Sequence, residues 1–97
     1  FGKGVAQLLS LTREKGSLSA AYKSMGMAAS KAWKILKRAE ADLGVKLVER
    51  RSGGKQGGGS NLTPEGEDIL KRYEKFHKEV AEAAKESFLK NFGDLGE

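Results

Sequence analysis

The chain has 97 residues, no cysteine, one histidine and a formal net charge of +5 at neutral pH. That suffices for one domain with a small core. It excludes a disulfide framework, a thiol nucleophile and cysteine-ligated zinc, and the lone His77 excludes the usual multi-histidine metal sites. No apolar run approaches the roughly 18 residues of a membrane span, and no signal-peptide pattern opens the chain. The expectation is a cytoplasmic protein without membrane contact, and the start at Phe1 is that expected of a fragment.

The charge is unevenly spread. Residues 1–63 hold twelve Lys/Arg against four Asp/Glu, whereas residues 64–97 hold six against nine. A basic front fits contact with a polyanion and a mildly acidic back fits a different partner. An uneven solvated surface is the alternative.

In chain order, "VAQLLSLTREK" from Val5 to Lys15 spaces Val5, Leu8, Leu9 and Leu11/Thr12 as an amphipathic helix, stopped at Gly16. Ser17 or Ser19 can cap a short second helix, "LSAAYKSM", which ends at Gly26. A turn through Gly26, Met27 and Ala28 leads to a third helix, "ASKAWKILKRAEADL", residues 29–43, stopped at Gly44. "VKLVERR" (residues 45–51) and "NLT" (residues 61–63) suit short strands. Thr63 then caps a last helix with Pro64 in its first position and Glu65, Glu67 and Asp68 at the positive end of its dipole. It can run to about Asn91, roughly 40 Å.

Between the strands lie five glycines in seven positions around Lys55. A phosphate-binding loop needs Gly-Lys followed by Ser or Thr between a strand and a helix, but Lys55 precedes Gln56 and the next segment reads as a strand. A domain linker needs a folded unit on each side, which a single helix does not make. A hairpin tip has a strand on each flank, and its glycines accept positive φ and close approach to another surface. With Arg50, Arg51 and Lys55 attached, that surface fits a phosphate backbone.

Two short helices around a glycine-containing turn, the second of them basic, followed by such a hairpin, read as a winged helix-turn-helix. The fold class is mainly α, with three helices, a two-stranded wing at 51–60 and a long C-terminal helix. On the third helix Ala32, Leu36, Ala39 and Leu43 form an apolar stripe, and Ser30, Lys31, Lys34 and Arg38 lie opposite, with Lys37 at the edge. Ala29, Ser30, Lys31 and Lys34 are the candidates for base edges. Ser17, Lys37, Arg38, Arg50, Arg51 and Lys55 are the candidates for phosphates. Trp33, at the boundary, is expected to pack on a neighbouring helix or the wing base, and Met25 and Met27 to fill the core.

Along the last helix Ile69, Tyr73, Phe76, Val80, Ala83 and Ser87 alternate spacings of four and three, a coiled-coil-like seam widened by Leu70, Phe88 and Phe92. A small winged core cannot cover it all, so a second copy is expected along Ile69, Tyr73, Phe76 and Val80. The chain thus divides into a DNA-binding domain at 1–63 and a dimerisation helix at 64–97. His77 sits beside the seam, where it reads as solvated or packed.

Three motifs, "GSLSAA", "MGM…AW" and "LVERRSGGKQGGGSNLTPEG", closely resemble the N-terminal domain of the molybdate-responsive (ModE) transcription regulators, and more distantly that of LysR-type regulators. The resemblance covers about residues 4 to 75. It implies a homodimer on palindromic double-stranded DNA, with the recognition helix 29–43 in the major groove, the wing on the flanking backbone, and dimerisation through the first and last helices. In this family "FGKG" usually follows a short N-terminal strand segment. Members that sense molybdate carry separate C-terminal oxyanion-binding domains, so molybdate binding is not expected of this chain. Ala28 stands where many relatives have serine, which implies a weaker cap.

The expectation is a DNA-binding transcription regulator without cofactor or metal, and not an enzyme, because no nucleophile–base pair or metal cluster is visible. The alternatives are a protein-interaction module and a non-specific nucleoid-type nucleic-acid binder on the same fold.

Overall fold

The computed structural model describes residues 1–51 and 59–95. Its elements are α1 (Lys3–Lys15), α2 (Leu18–Ser24), α3 (Ala29–Leu43), β1 (Val48–Arg50), β2 (Ser60–Leu62) and α4 (Pro64–Phe92). The order matches the expected winged helix-turn-helix. The glycine-rich tip at 52–58, Lys55 included, lies outside the described residues.

Local signals set the helix ends. Gly16 closes α1 at φ 77°, its N–H donating to the Thr12 carbonyl, and Gly44 closes α3 at φ 72°. Both take the left-handed backbone that glycine alone adopts freely. Ser17 caps α2, its Oγ accepting the Ala20 N–H at 2.9 Å. Ala28 begins α3 with extended backbone and no side-chain cap bond. Thr63 caps α4, its Oγ1 accepting the Gly66 N–H at 2.9 Å and donating to the Lys46 carbonyl at 2.6 Å.

The core gathers Leu8 and Leu9 of α1, Leu18 and Ala21 of α2, Ala32, Leu36 and Ala39 of α3, then Leu47, Val48, Leu62 and Leu70. Each buried leucine contributes on the order of 2 kcal/mol through the area it removes from water. Thr12 is fully buried among them and satisfies its hydroxyl by donating to the Leu8 carbonyl at 2.8 Å. Met25 and Met27 pack against this core, as expected. The hairpin is antiparallel, with Val48 opposite Leu62, Glu49 opposite Asn61 and Arg50 opposite Ser60.

Several expectations need correction. Leu43 leaves the stripe and is 39% exposed. The left-handed turn at Gly44 brings Val45 and Leu47 back onto the core at that end instead. The strands are shorter than read. Leu47 donates its N–H to the Glu40 carboxylate at 2.8 Å rather than to a strand, and Thr63 serves as a cap. Helix α1 starts at Lys3 rather than Val5, and α2 stops at Ser24.

Helix α4 has 29 residues, about 43 Å of helix. Gly66 and Leu70 are buried and Ile69 and Tyr73 half-buried, but residues 74–95 are exposed throughout. The radius of gyration is accordingly 17.2 Å, against roughly 13 Å for a compact chain of this size. The distal half of α4 projects from the body.

Candidate nucleic-acid interface

The face of α3 turned from the core carries Ala29, Ser30, Lys31 and Lys34, all exposed. Among the described residues neither Lys31 nor Lys34 belongs to an ion pair. The cations further along are engaged. The Lys37 Nζ lies 3.5 Å from Glu40 Oε1 and 5.7 Å from the centre of the Trp33 ring, and the Arg38 Nε lies 3.7 Å from Asp42 Oδ2. Such exposed pairs contribute at most about 1 kcal/mol, so a stronger anion can displace either carboxylate.

Trp33 is 44% exposed. It stands where α2, α3 and the hairpin base meet, lining a cleft of about 350 Å³ with Ser17, Tyr22, Arg50 and Ser60. Ser17 sits half-buried at its rim, with its Oγ accepting the α2 cap bond and its hydroxyl proton available to a second acceptor. Arg50 is exposed on β1. The fold therefore brings Ser17 and Arg50, 33 residues apart in the chain, to one cleft beside α3. Nothing local in the sequence links them. Tyr22 and Ser60, which also line this cleft, were not among the expected site residues, because only the fold brings α2 and β2 together.

Arg51 is exposed but bonded, its Nη2 donating to the Gly16 carbonyl at 3.0 Å. Lys55 lies outside the described residues.

Of the seam residues, Ile69 and Tyr73 pack partly on the core, with the Tyr73 ring 5.5 Å from that of Phe1. Phe76 and Val80 are 60% and 50% exposed. Phe88, Leu89 and Phe92 are equally open further along. His77 lies 6.0 Å from Tyr73, ring to ring, and lines a groove between α1 and α4 with Ala6, Leu70 and Tyr73. No helix among the described residues is long and apolar enough to cross a membrane.

Comparison with known proteins agrees with this architecture. Residues 6–67 match the model of the bacterial regulatory helix-turn-helix proteins of the LysR family. The molybdenum-pterin-binding protein MopB of Rhodobacter capsulatus is 36% identical over 66 residues, 68% of this chain and 24% of that protein. The chain thus spans about a quarter of the length of this relative. The CbnR DBD–DNA complex superposes with a TM-score of 0.71 at 21% identity, covering 94% of this chain and 99% of that one. CbnR itself, a LysR family transcriptional regulator, gives 0.68 at 22% identity over 92% of this chain and 29% of that one. At these identities the two structures speak for the fold, and the family match speaks for the lineage. By residues 6–67 the chain belongs to the bacterial regulatory helix-turn-helix proteins of the LysR family, DNA-binding regulators of transcription.

Proposed function

We propose that the protein binds operator DNA sequence-specifically as a homodimer, with α3 in the major groove and the wing along the flanking backbone. The observation that carries this reading is the face of α3. Two lysines outside any described ion pair stand on it, opposite the buried stripe Ala32, Leu36 and Ala39 and beside the cleft of Ser17 and Arg50. A helix that is apolar on one side and cationic on the other meets base edges with its first turns and phosphates with its flanks. Ala29, Ser30, Lys31 and Lys34 take the base edges. Ser17, Lys37, Arg38 and Arg50 take phosphates, as does Lys55 at the tip. Residues 1–63 are the DNA-binding part and residues 64–97 the dimerisation helix.

The projecting half of α4 supports the dimer. Phe76 and Val80 face solvent on a helix that its own core does not cover. A two-fold arrangement through Ile69, Tyr73, Phe76 and Val80 would bury them and set two recognition helices about 34 Å apart, one turn of DNA.

Selection from a randomised duplex library at physiological salt tests the reading. The expected result is a palindrome with half-sites about one turn apart, bound with a log–log salt slope near −7 if each protomer neutralises about four phosphates. Binding without any enriched sequence would leave a non-specific nucleic-acid binder. Absence of binding would leave a protein-interaction module.

A further inference from the structure

Three residues far apart in the chain meet at the base of the hairpin. The Gly16 carbonyl, at the end of α1, accepts both the Ser60 N–H and the Arg51 Nη2, each at 3.0 Å. The Arg51 N–H donates in turn to the Gly59 carbonyl at 3.0 Å. The junction has no room for a side chain at Gly59, where a Cβ would run into both the Arg51 guanidinium and the Gly16 carbonyl. At Gly16 a Cβ would touch the guanidinium at 3.5 Å, on a backbone already at φ 77°. A cation kept for phosphate would reach outward, as Arg50 does on the neighbouring strand position. Arg51 folds back instead onto the corner between α1 and α2, over the seat left by a glycine.

We propose that Arg51 is a positioning residue that latches the wing to the α1–α2 corner through the Gly16 carbonyl and so fixes the angle at which the wing leaves the body. Arg50, and not Arg51, is then the cation of this pair that meets phosphate. The functional side of this proposal rests on the reading above that the wing lies along DNA. The latch itself is a property of the free protein.

Two variants separate the latch from a direct phosphate contact. Arg51→Met removes the guanidinium and keeps most of the apolar stem. Gly59→Ala keeps the charge and fills the guanidinium's seat. The first readout is amide hydrogen exchange at Ser60 in the free protein, with the Leu36 amide reporting the intact fold. The expected result is at least about tenfold faster Ser60 exchange in each variant and no further change in the double variant, because both act on one contact. DNA affinity is expected to fall by similar factors in the two variants, although only one changes charge.

Unchanged Ser60 exchange in Arg51→Met overturns the latch. So does Gly59→Ala binding DNA as the parent does while Arg51→Met loses affinity and about 0.9 of the salt slope, the signature of one lost phosphate contact. Arg51 is exposed, so Arg51→Met retains the fold and decides the matter even if Gly59→Ala does not fold. Faster Ser60 exchange in both variants with DNA affinity unchanged in both would support the latch and overturn the reading of the wing on DNA.

Discussion

Glu40 and Leu47 are joined by a bond that crosses from helix to wing: the Glu40 Oε2 accepts the Leu47 N–H at 2.8 Å. Leu47 is fully buried and the Glu40 side chain only 10% exposed, so little water can replace this acceptor. The same carboxylate faces Lys37 at 3.5 Å through Oε1. One side chain therefore sets where the recognition helix stands against the hairpin, and ties down a lysine on its flank.

Glu40→Ala removes that acceptor and strands a buried N–H. A hydrogen bond to a charged group contributes about 1.5–3 kcal/mol, and a loss of about that size is expected in urea unfolding. Glu40→Gln keeps a carbonyl in reach and should lose about half as much or less. A Glu40→Ala protein as stable as the parent would remove this bond from the account of the fold.

Two glycines in helices should respond to alanine with opposite signs. Gly4, in the first turn of α1, has open space where a Cβ would go. Gly4→Ala is expected to stabilise by roughly 0.5 kcal/mol through helix propensity and a less free unfolded chain. Gly66 lies buried in the first turn of α4, where a Cβ would collide with the Leu47 carbonyl that also accepts the Thr63 N–H. Gly66→Ala is expected to destabilise by about 1–3 kcal/mol despite the better propensity, as overpacking does. Thermal melts of both variants check the pair, and a stabilised Gly66→Ala would mean that the loop over α4 yields easily.

The contrast between these sites explains how much was legible beforehand. The bounds of α3 are those read from the sequence, because an apolar stripe and a terminal Gly44 are local signals. The start of α4 was legible for the same reason, as Thr63 and Pro64 announce it within two residues. What was hidden is whatever depends on distant residues meeting. The fate of Leu43 depends on where Gly44 sends the chain. The short β1 depends on a carboxylate seven residues earlier, and the state of Arg51 on a carbonyl 35 residues earlier. Arg13 was read only as part of an amphipathic helix, yet it spans to Glu67 at 3.2 Å and Glu74 at 3.6 Å and ties α1 to α4. For the site, residue types and face were legible, whereas the cleft joining Ser17, Trp33 and Arg50 was not.

On DNA, two lysine-to-alanine or arginine-to-alanine changes should separate readout from attraction. Lys34→Ala is expected to relax base preference at one or two positions, with about 1–3 kcal/mol of discrimination lost there. Arg50→Ala should weaken all sequences about equally and reduce the salt slope by roughly 0.9 per protomer. Competition binding against single-base variants of the selected site, repeated at several salt concentrations, measures both. A Lys34→Ala protein with unchanged preference would move base readout to Ser30 and Lys31.

The dimer can be tested on the part of α4 that its own core leaves bare. Ile69 and Tyr73 are poor targets, because they also pack on the body and their loss would confuse association with folding. Phe76 and Val80 stand clear at 60% and 50% exposure, so a charge there leaves the monomer's core untouched. Phe76→Glu with Val80→Glu would bring two carboxylates per chain into a desolvated seam, at several kcal/mol for each unpaired charge buried. Sedimentation equilibrium is expected to give a dimer for the parent and a monomer for the double variant, with the thermal melt of the winged core little changed. On DNA the same variant should lose most of its affinity for the palindrome, yet bind an isolated half-site as the parent's protomer does. A double variant that stays dimeric would shift the interface further along the helix, to the exposed stretch of Phe88, Leu89 and Phe92, where the corresponding glutamate substitutions would be the next to dissociate it.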